Sequence, residues 1–175
     1  MHSTPASNAT ANGTAYTISS ITNTGTGALV TTAADHNLYT GNTVVITGAV
    51  PSAYNGTWEI TRQSATTFTY ALTSNPGTNA TTVGTYSVAA ATMTSMSHVG
   101  TLATVTTSSA HGLLTGNEIT VSGCTPTEYN GTFVITRLND TQFTYVMGSS
   151  PATDATVIGT YVVVVQTISS NVLTG

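Results

Sequence analysis

The sequence contains no lysine, and only two arginines and six acidic residues stand among its 175 positions. Charged residues make up 5% of the chain, against about 25% in ordinary soluble domains. Two readings of such a composition fail at once. No apolar run approaches the roughly 20 residues that would span a bilayer as a helix, so no membrane partner is expected. Disorder is excluded for most of the chain because β-branched and aromatic residues recur in ordered patterns. There is no basic cluster and the net charge is −4, which argues against nucleic acid, because phosphate backbones are bound by grouped Lys and Arg. The single cysteine, Cys124, has no partner for a disulfide within the chain. The beginning of the sequence has neither a basic nor an apolar stretch of signal type, so synthesis in the cytoplasm of the producing cell is expected.

What is present is a repeat. His36 falls on His111, a shift of 75 positions, and the same shift carries Gly41-Asn42 onto Gly116-Asn117 and Pro51 onto Pro126. It also carries Tyr54-Asn55-Gly56-Thr57 onto Tyr129-Asn130-Gly131-Thr132, Ile60-Thr61-Arg62 onto Ile135-Thr136-Arg137, and Phe68-Thr69-Tyr70 onto Phe143-Thr144-Tyr145. No gap is needed, and roughly half of the aligned positions are identical. One domain has been duplicated, with units expected over 17–91 and 92–175, the second including a short tail.

Within each unit the apolar residues alternate. Val44 and Ile46 share a face, as do Ile119 and Val121, Trp58 and Ile60, and Phe68 and Tyr70. Period-two alternation marks half-buried strands. Turn signals separate the runs, at 36–42, at Asn55-Gly56 and at Asn75-Pro76-Gly77. The pattern predicts an all-β chain of two tandem small barrels or sandwiches, about six strands each, held close by the short join at 89–94. Residues 1–16 are small, polar and without period, and read as a mobile arm.

The segments Ala110-His111-Gly112-Leu113-Leu114-Thr115-Gly116-Asn117, Tyr129-Asn130-Gly131-Thr132 and Asp140-Thr141-Gln142-Phe143-Thr144-Tyr145 resemble a module found repeatedly in tailed-phage structural proteins. More distantly the pattern is similar to the small β-barrel of the first catalytic-cysteine half-domain of ubiquitin-activating enzymes, a likeness of fold only. The resemblance covers both units. The first departs from it at two turn positions, with Asn37 for Gly and Ala65 for Asp. It implies a non-enzymatic virion component without cofactor. A capsid decoration (cement) protein is the leading expectation, as a homotrimer on the major capsid protein. A tail tube, tip or fibre component and a carbohydrate-binding adhesion module are the alternatives.

Individual residues carry their own expectations. His111 beside Cys124 suggests base and nucleophile, but Cys124 corresponds to Ala49 and no third group orients the pair, so a turn histidine bonded to backbone is expected. His2, Asp35, His36, His98 and His111 match no metal-ligand spacing. Arg62 and Arg137 are the only cations and occupy equivalent positions. Each lies two residues beyond an inward Ile, so each is expected to point inward and close its barrel by bonding carbonyls or a carboxylate, or else to grip a partner. Tyr54 and Tyr129 either pack beneath their own loops or stay exposed to stack on sugars or anchor an interface. Val162 and Val164 lie in a strand apolar on both faces, a contact between subunits or domains, or a core strand of one barrel.

The arm carries a prediction. Its Thr and Asn residues suit pairing with a strand edge of a neighbouring subunit. Deleting residues 1–15 should leave the melting of the isolated protein nearly unchanged and weaken its oligomerisation or attachment, as read by gel filtration and particle binding.

Overall fold

The computed structural model describes residues 14–165; the expected arm lies outside them but for its last residues. Among the described residues fourteen short strands and two 3-10 turns follow one another. In the first repeat the strands are β1 (Tyr16–Asn23), β2 (Gly27–Thr32), β3 (Thr43–Val50), β4 (Gly56–Glu59), β5 (Thr61–Arg62), β6 (Thr67–Ala71) and β7 (Thr82–Val88). In the second they are β8 (Ala91–Thr92), β9 (Ser95–Val99), β10 (Leu102–Thr106), β11 (Glu118–Ser122), β12 (Gly131–Arg137), β13 (Gln142–Val146) and β14 (Thr160–Val163). Strands therefore open at Tyr16 and Ala91, one residue ahead of each expected unit boundary.

All pairings are antiparallel, and each repeat closes on itself. The first sheet runs β4-β3-β7-β1-β2-β6-β5. Its two ends, β4 and β5, are one stretch of chain interrupted only at Ile60, so the sheet is a barrel of six positions. In the second repeat β12 is continuous and pairs with both β11 and β13. There the break falls instead between β8, which pairs with β14, and β9, which pairs with β10. β1 marks the same place with a shift of register between Ile18 and Ser20. Closure satisfies the edge groups that an open sheet would present to other chains.

The alternation read from the sequence fills the interiors. Ala28, Val30, Val44, Ile46, Phe68, Tyr70, Tyr86 and Val88 are buried in the first barrel, and their partners 75 positions on, from Ala103 to Val163, are buried in the second. Rings meet in the same order in both. His36 meets Phe68 edge-on at 5.4 Å and Phe68 meets Tyr86 at 5.8 Å. His111 meets Phe143 at 5.3 Å and Phe143 meets Tyr161 at 5.5 Å. Such edge-to-face pairs contribute about 0.5–1.5 kcal/mol beyond their buried area. Below them Trp58 stacks on Tyr70 at 5.0 Å, and Phe133 on Tyr145 at 4.3 Å.

The Tyr-Asn-Gly segments do not form tight hairpin turns. A 3-10 turn (Ser52–Tyr54 or Thr127–Tyr129) follows a cis proline, Pro51 or Pro126. The asparagine then reaches back six residues and pairs its side-chain amide with a backbone amide. Asn55 Oδ1 accepts from Ala49 N and its Nδ2 donates to Ala49 O, both at 2.8 Å. Asn130 does the same with Cys124, at 2.8 and 2.9 Å. The loop is thus clipped shut by a side chain that imitates a strand.

β3 and β7 cross where only glycine fits. A Cβ on Gly84 would lie 2.0 Å from the Thr47 carbonyl oxygen, and one on Gly159 would lie 1.9 Å from that of Ser122. Gly84→Ala and Gly159→Ala should each force the paired strands apart and destabilise their barrel by about 3 kcal/mol. Gly148→Ala, whose Cβ would meet nothing within 4 Å, should change stability by less than about 0.5 kcal/mol. Urea unfolding of the three variants checks this; equal effects would show that the crossing tolerates a side chain.

Candidate functional site

The turn over 36–42 and its copy over 111–117 close one mouth of each barrel, and each is built around its histidine. His36 is fully buried. Its Nδ1 accepts from Leu38 N at 3.0 Å and its Nε2 faces the Thr67 carbonyl at 3.3 Å. An acceptor at one nitrogen and a donor at the other define a neutral ring protonated on Nε2. His111 repeats the arrangement with Leu113 N at 2.9 Å and the Asn139 carbonyl at 2.9 Å. Burial pushes the His36 pKa below its ordinary value of 6.5, against a smaller opposing effect from the Thr67 carbonyl. The His111 nitrogens are thus engaged away from Cys124. The Cys124 thiol accepts from Gly159 N at 3.4 Å, and burial pushes its pKa up.

Tyr54 and Tyr129 are fully buried beneath their loops. Tyr54 donates to the Thr78 carbonyl at 2.6 Å, and its own carbonyl receives Tyr70 Oη at 3.0 Å and Trp58 Nε1 at 3.1 Å. Tyr129 Oη lies 3.0 Å from His98 Nδ1, which is itself 3.0 Å from Asp154 Oδ1. This small network has an uncharged copy in the first repeat. Asn23 stands for His98 and Asn79 for Asp154, and the backbone N–H of Asn23 donates to Asn79 Oδ1 at 2.9 Å as that of His98 donates to Asp154 at 3.0 Å.

The expectation for the arginines is corrected. Arg62 and Arg137 are both exposed. Ile60 and Ile135, each 1% exposed, are the last inward side chains of their strand. Beyond them the strand reaches the barrel rim, where a guanidinium keeps its hydration and avoids the several kcal/mol that burial without full pairing costs. Arg62 lies over the Tyr39 ring, 5.8 Å from its centroid. Arg137 pairs with Asp140 on the surface. The rim is closed by backbone instead: the N–H groups of Arg62 and Arg137 donate to Thr40 Oγ1 and Thr115 Oγ1 at 3.0 and 2.9 Å.

Val162 and Val164 are buried, although Val162 pairs with Thr120 on the outer face of β14. The apolar cluster that contains Val162 is continuous across both barrels. The two mouths also touch directly, since Asn42 Nδ2 donates to the His111 carbonyl at 3.3 Å and Asn117 Nδ2 to Tyr39 Oη at 3.1 Å. A Cβ on Gly112 would sit 2.5 Å from the Thr40 carbonyl oxygen of the other repeat. Between the barrels lies a cleft of about 240 Å³ lined by Asn42, Thr43, Thr92, Thr107 and Tyr161 among others.

One surface feature escaped the sequence reading. Val99, Leu102 and Val146 are exposed by 83%, 43% and 64%, and they are direct cross-strand neighbours, Leu102 facing Val99 on one side and Val146 on the other. The first repeat has Thr24, Gly27 and Ala71 at these positions. Its signal in the sequence is that the halves differ at all three positions, apolar and large only in the second.

No family model, curated protein or solved structure matches the chain.

The His36 geometry predicts a pH dependence. A folded pKa below the unfolded one means that the unfolded chain binds more protons below pH 6.5. The contribution of His36 is therefore present above that pH and is lost as the pH falls. His36→Asn keeps an acceptor for Leu38 N and removes the titration. Its melting temperature should be lower than that of the parent at pH 8 and should fall less between pH 7 and pH 5. Parallel curves for the two proteins would contradict the neutral buried ring.

Proposed function

We propose that this chain is a structural, non-enzymatic component of a tailed-phage virion, a decoration protein that sits on the outer capsid surface against the major capsid protein and assembles as a homotrimer. One observation carries the reading: side chains that could do chemistry are engaged in holding loops. His36, His111, Asn55, Asn130, Tyr54 and Tyr129 each bond backbone groups of their own barrel through their side chains. Such use suits a part whose task is to keep its shape.

The charge-poor surface agrees with that task. Thr, Ser and Asn supply hydration, and with two arginines and no lysine the chain offers trypsin-like proteases two sites. The lack of a basic patch fits an outward position better than one facing the genome. The module resemblance supplies the virion context.

Quantitative mass spectrometry of purified particles tests the proposal. The chain should occur in hundreds of copies on heads that lack tails. Its absence from tailless heads and presence on isolated tails would assign it to the tail. Binding of the isolated protein to a glycan array would favour an adhesion module.

A further inference from the structure

The repeats meet through equivalent parts. Asn42 and Asn117 are the same residue 75 positions apart, and each donates through Nδ2 to the histidine-bearing turn of the other repeat, though to different positions of it, the His111 carbonyl and the Tyr39 hydroxyl. The grooves beside these contacts obey the same rule. On the second repeat Ala90 lies in a groove with Ala91, Thr92, Thr107 and Tyr161. On the first repeat Val165 lies in a groove of about 180 Å³ with Tyr16, Thr17, Thr32 and Tyr86. Subtracting 75 from 165, 91, 92, 107 and 161 gives 90, 16, 17, 32 and 86, so these walls of the two grooves are equivalent, while Gly41, Asn42 and Thr43 add a further wall to the Ala90 groove alone.

Contact of patch i with patch j, and of j with i, is the mark of an isologous interface. A head-to-tail stack of the two barrels would fill one groove and leave its copy open. Here the end of the first repeat enters the second, and the end of the second enters the first.

The difference lies in the covalent chain. Ala90 and Ala91 are joined by a peptide bond. Val165 and Tyr16 hold the equivalent positions without one, and Ala15 lines the same groove. Where the link is covalent the strand ends in Ser87, Ala89 and Ala90, all half-buried. Where it is missing the equivalents are Val162, Val164 and Val165, all buried. Apolar burial anchors the end that no bond holds.

We infer that the face each repeat turns to the other is a self-recognition surface whose partner is a second copy of the same repeat. The chain is a tethered, pseudo-twofold dimer, closed at Ala90–Ala91 and open at Val165–Tyr16. The tether is then dispensable and the order of the repeats interchangeable.

Three experiments on the full protein test this. In the first, a protease site is inserted between Ala90 and Ala91 and cut after folding; the fragments should co-elute as one species with the mass of the uncut chain. Folded fragments that separate on gel filtration would overturn the inference. In the second, a permutant joins Val165 to Tyr16 and opens between Ala90 and Ala91; it should be monomeric and melt within about 4 °C of the parent. In the third, Ala15→Cys with Val165→Cys, oxidised with diamide, should form a crosslink within one chain, read on a non-reducing gel. This arm remains decisive if an altered junction prevents folding. No crosslink, or one only between chains, would show that the ends are not paired and would defeat the inference.

Discussion

Closing a six-stranded sheet on itself is the constraint from which the rest of this structure follows. One stretch of chain, 56–62 or 131–137, must pair with β3 or β11 along its first half and with β6 or β13 along its second. That stretch has to bend where it changes partners, and Ile60 or Ile135 sits at the bend. Ile60 N donates to the Asn42 carbonyl at 2.9 Å, and Ile60 O accepts from Gly41 N at 3.0 Å. Asn117 and Gly116 do the same for Ile135, both at 2.9 Å. The 36–42 and 111–117 turns are therefore parts of the barrel wall. Their histidines are buried because the wall passes over them. The glycines at 84 and 159 belong to the same closure, since the opposite side of the barrel can be drawn in only where a strand has no Cβ.

A chain with eight charged side chains must hold its loops by other means. Surface ion pairs contribute about 0–1 kcal/mol each at best, so few are lost. Amide, imidazole and phenol groups bond the backbone instead, at about 1 kcal/mol net for each bond. The asparagine clips, the histidine turns and the buried tyrosines are three forms of one solution: a short polar side chain satisfies backbone groups that a tight loop leaves without strand partners. Because these bonds are neutral, they are little affected by salt. Among the described residues the exceptions fall in the second repeat, at His98–Asp154 and Arg137–Asp140. The first repeat has Asn23, Asn79 and Ala65 where the second has His98, Asp154 and Asp140, and both barrels close. The charges are thus additions to a frame that is complete without them.

Much of the fold was legible because its signals are local. Alternation in Val44–Ile46 or Phe68–Tyr70 reports which side of a strand faces inward, and the shift of 75 residues reports that whatever one half does the other does too. What stayed hidden depends on pairing at a distance. Counting two residues on from Ile60 and Ile135 points the arginines inward, a count that holds only while the strand is still flanked by the barrel. Arg62 does pair in register with buried Phe68, so the count was right about its backbone; the rim lets a long side chain turn out to solvent. Asn55 was read as a turn residue, but its partner, Ala49, lies across a 3-10 turn that no local pattern announces. The side that would cover Val162 and Val164 could not be named from one strand, because it belongs to the contact between repeats.

That contact explains why duplication preserved some positions and released others. A residue that faces its own barrel has the same surroundings in both repeats, and Phe68/Phe143 and Tyr54/Tyr129 keep the same side chains. A residue at the contact has the same neighbours only if the two repeats are related by a twofold. Asn42 and Asn117 are unchanged, and each accepts from its own turn, from Tyr39 N and Leu114 N, as well as donating to the other repeat. Other positions differ well away from the join, among them buried Ile21 and Met96 and the surface pair Thr24 and Val99. Ala90 and Val165 differ because one is tethered and the other is not, and Asn37 and Gly112 differ at the turn where a Cβ on one copy would meet the Thr40 carbonyl of the other. Asn37 tolerates its φ of 49° as Asn often does, whereas position 112 must satisfy both a φ of 64° and that close approach, and only glycine meets both demands. Gly112 is therefore held both by its own turn and by the contact between the repeats.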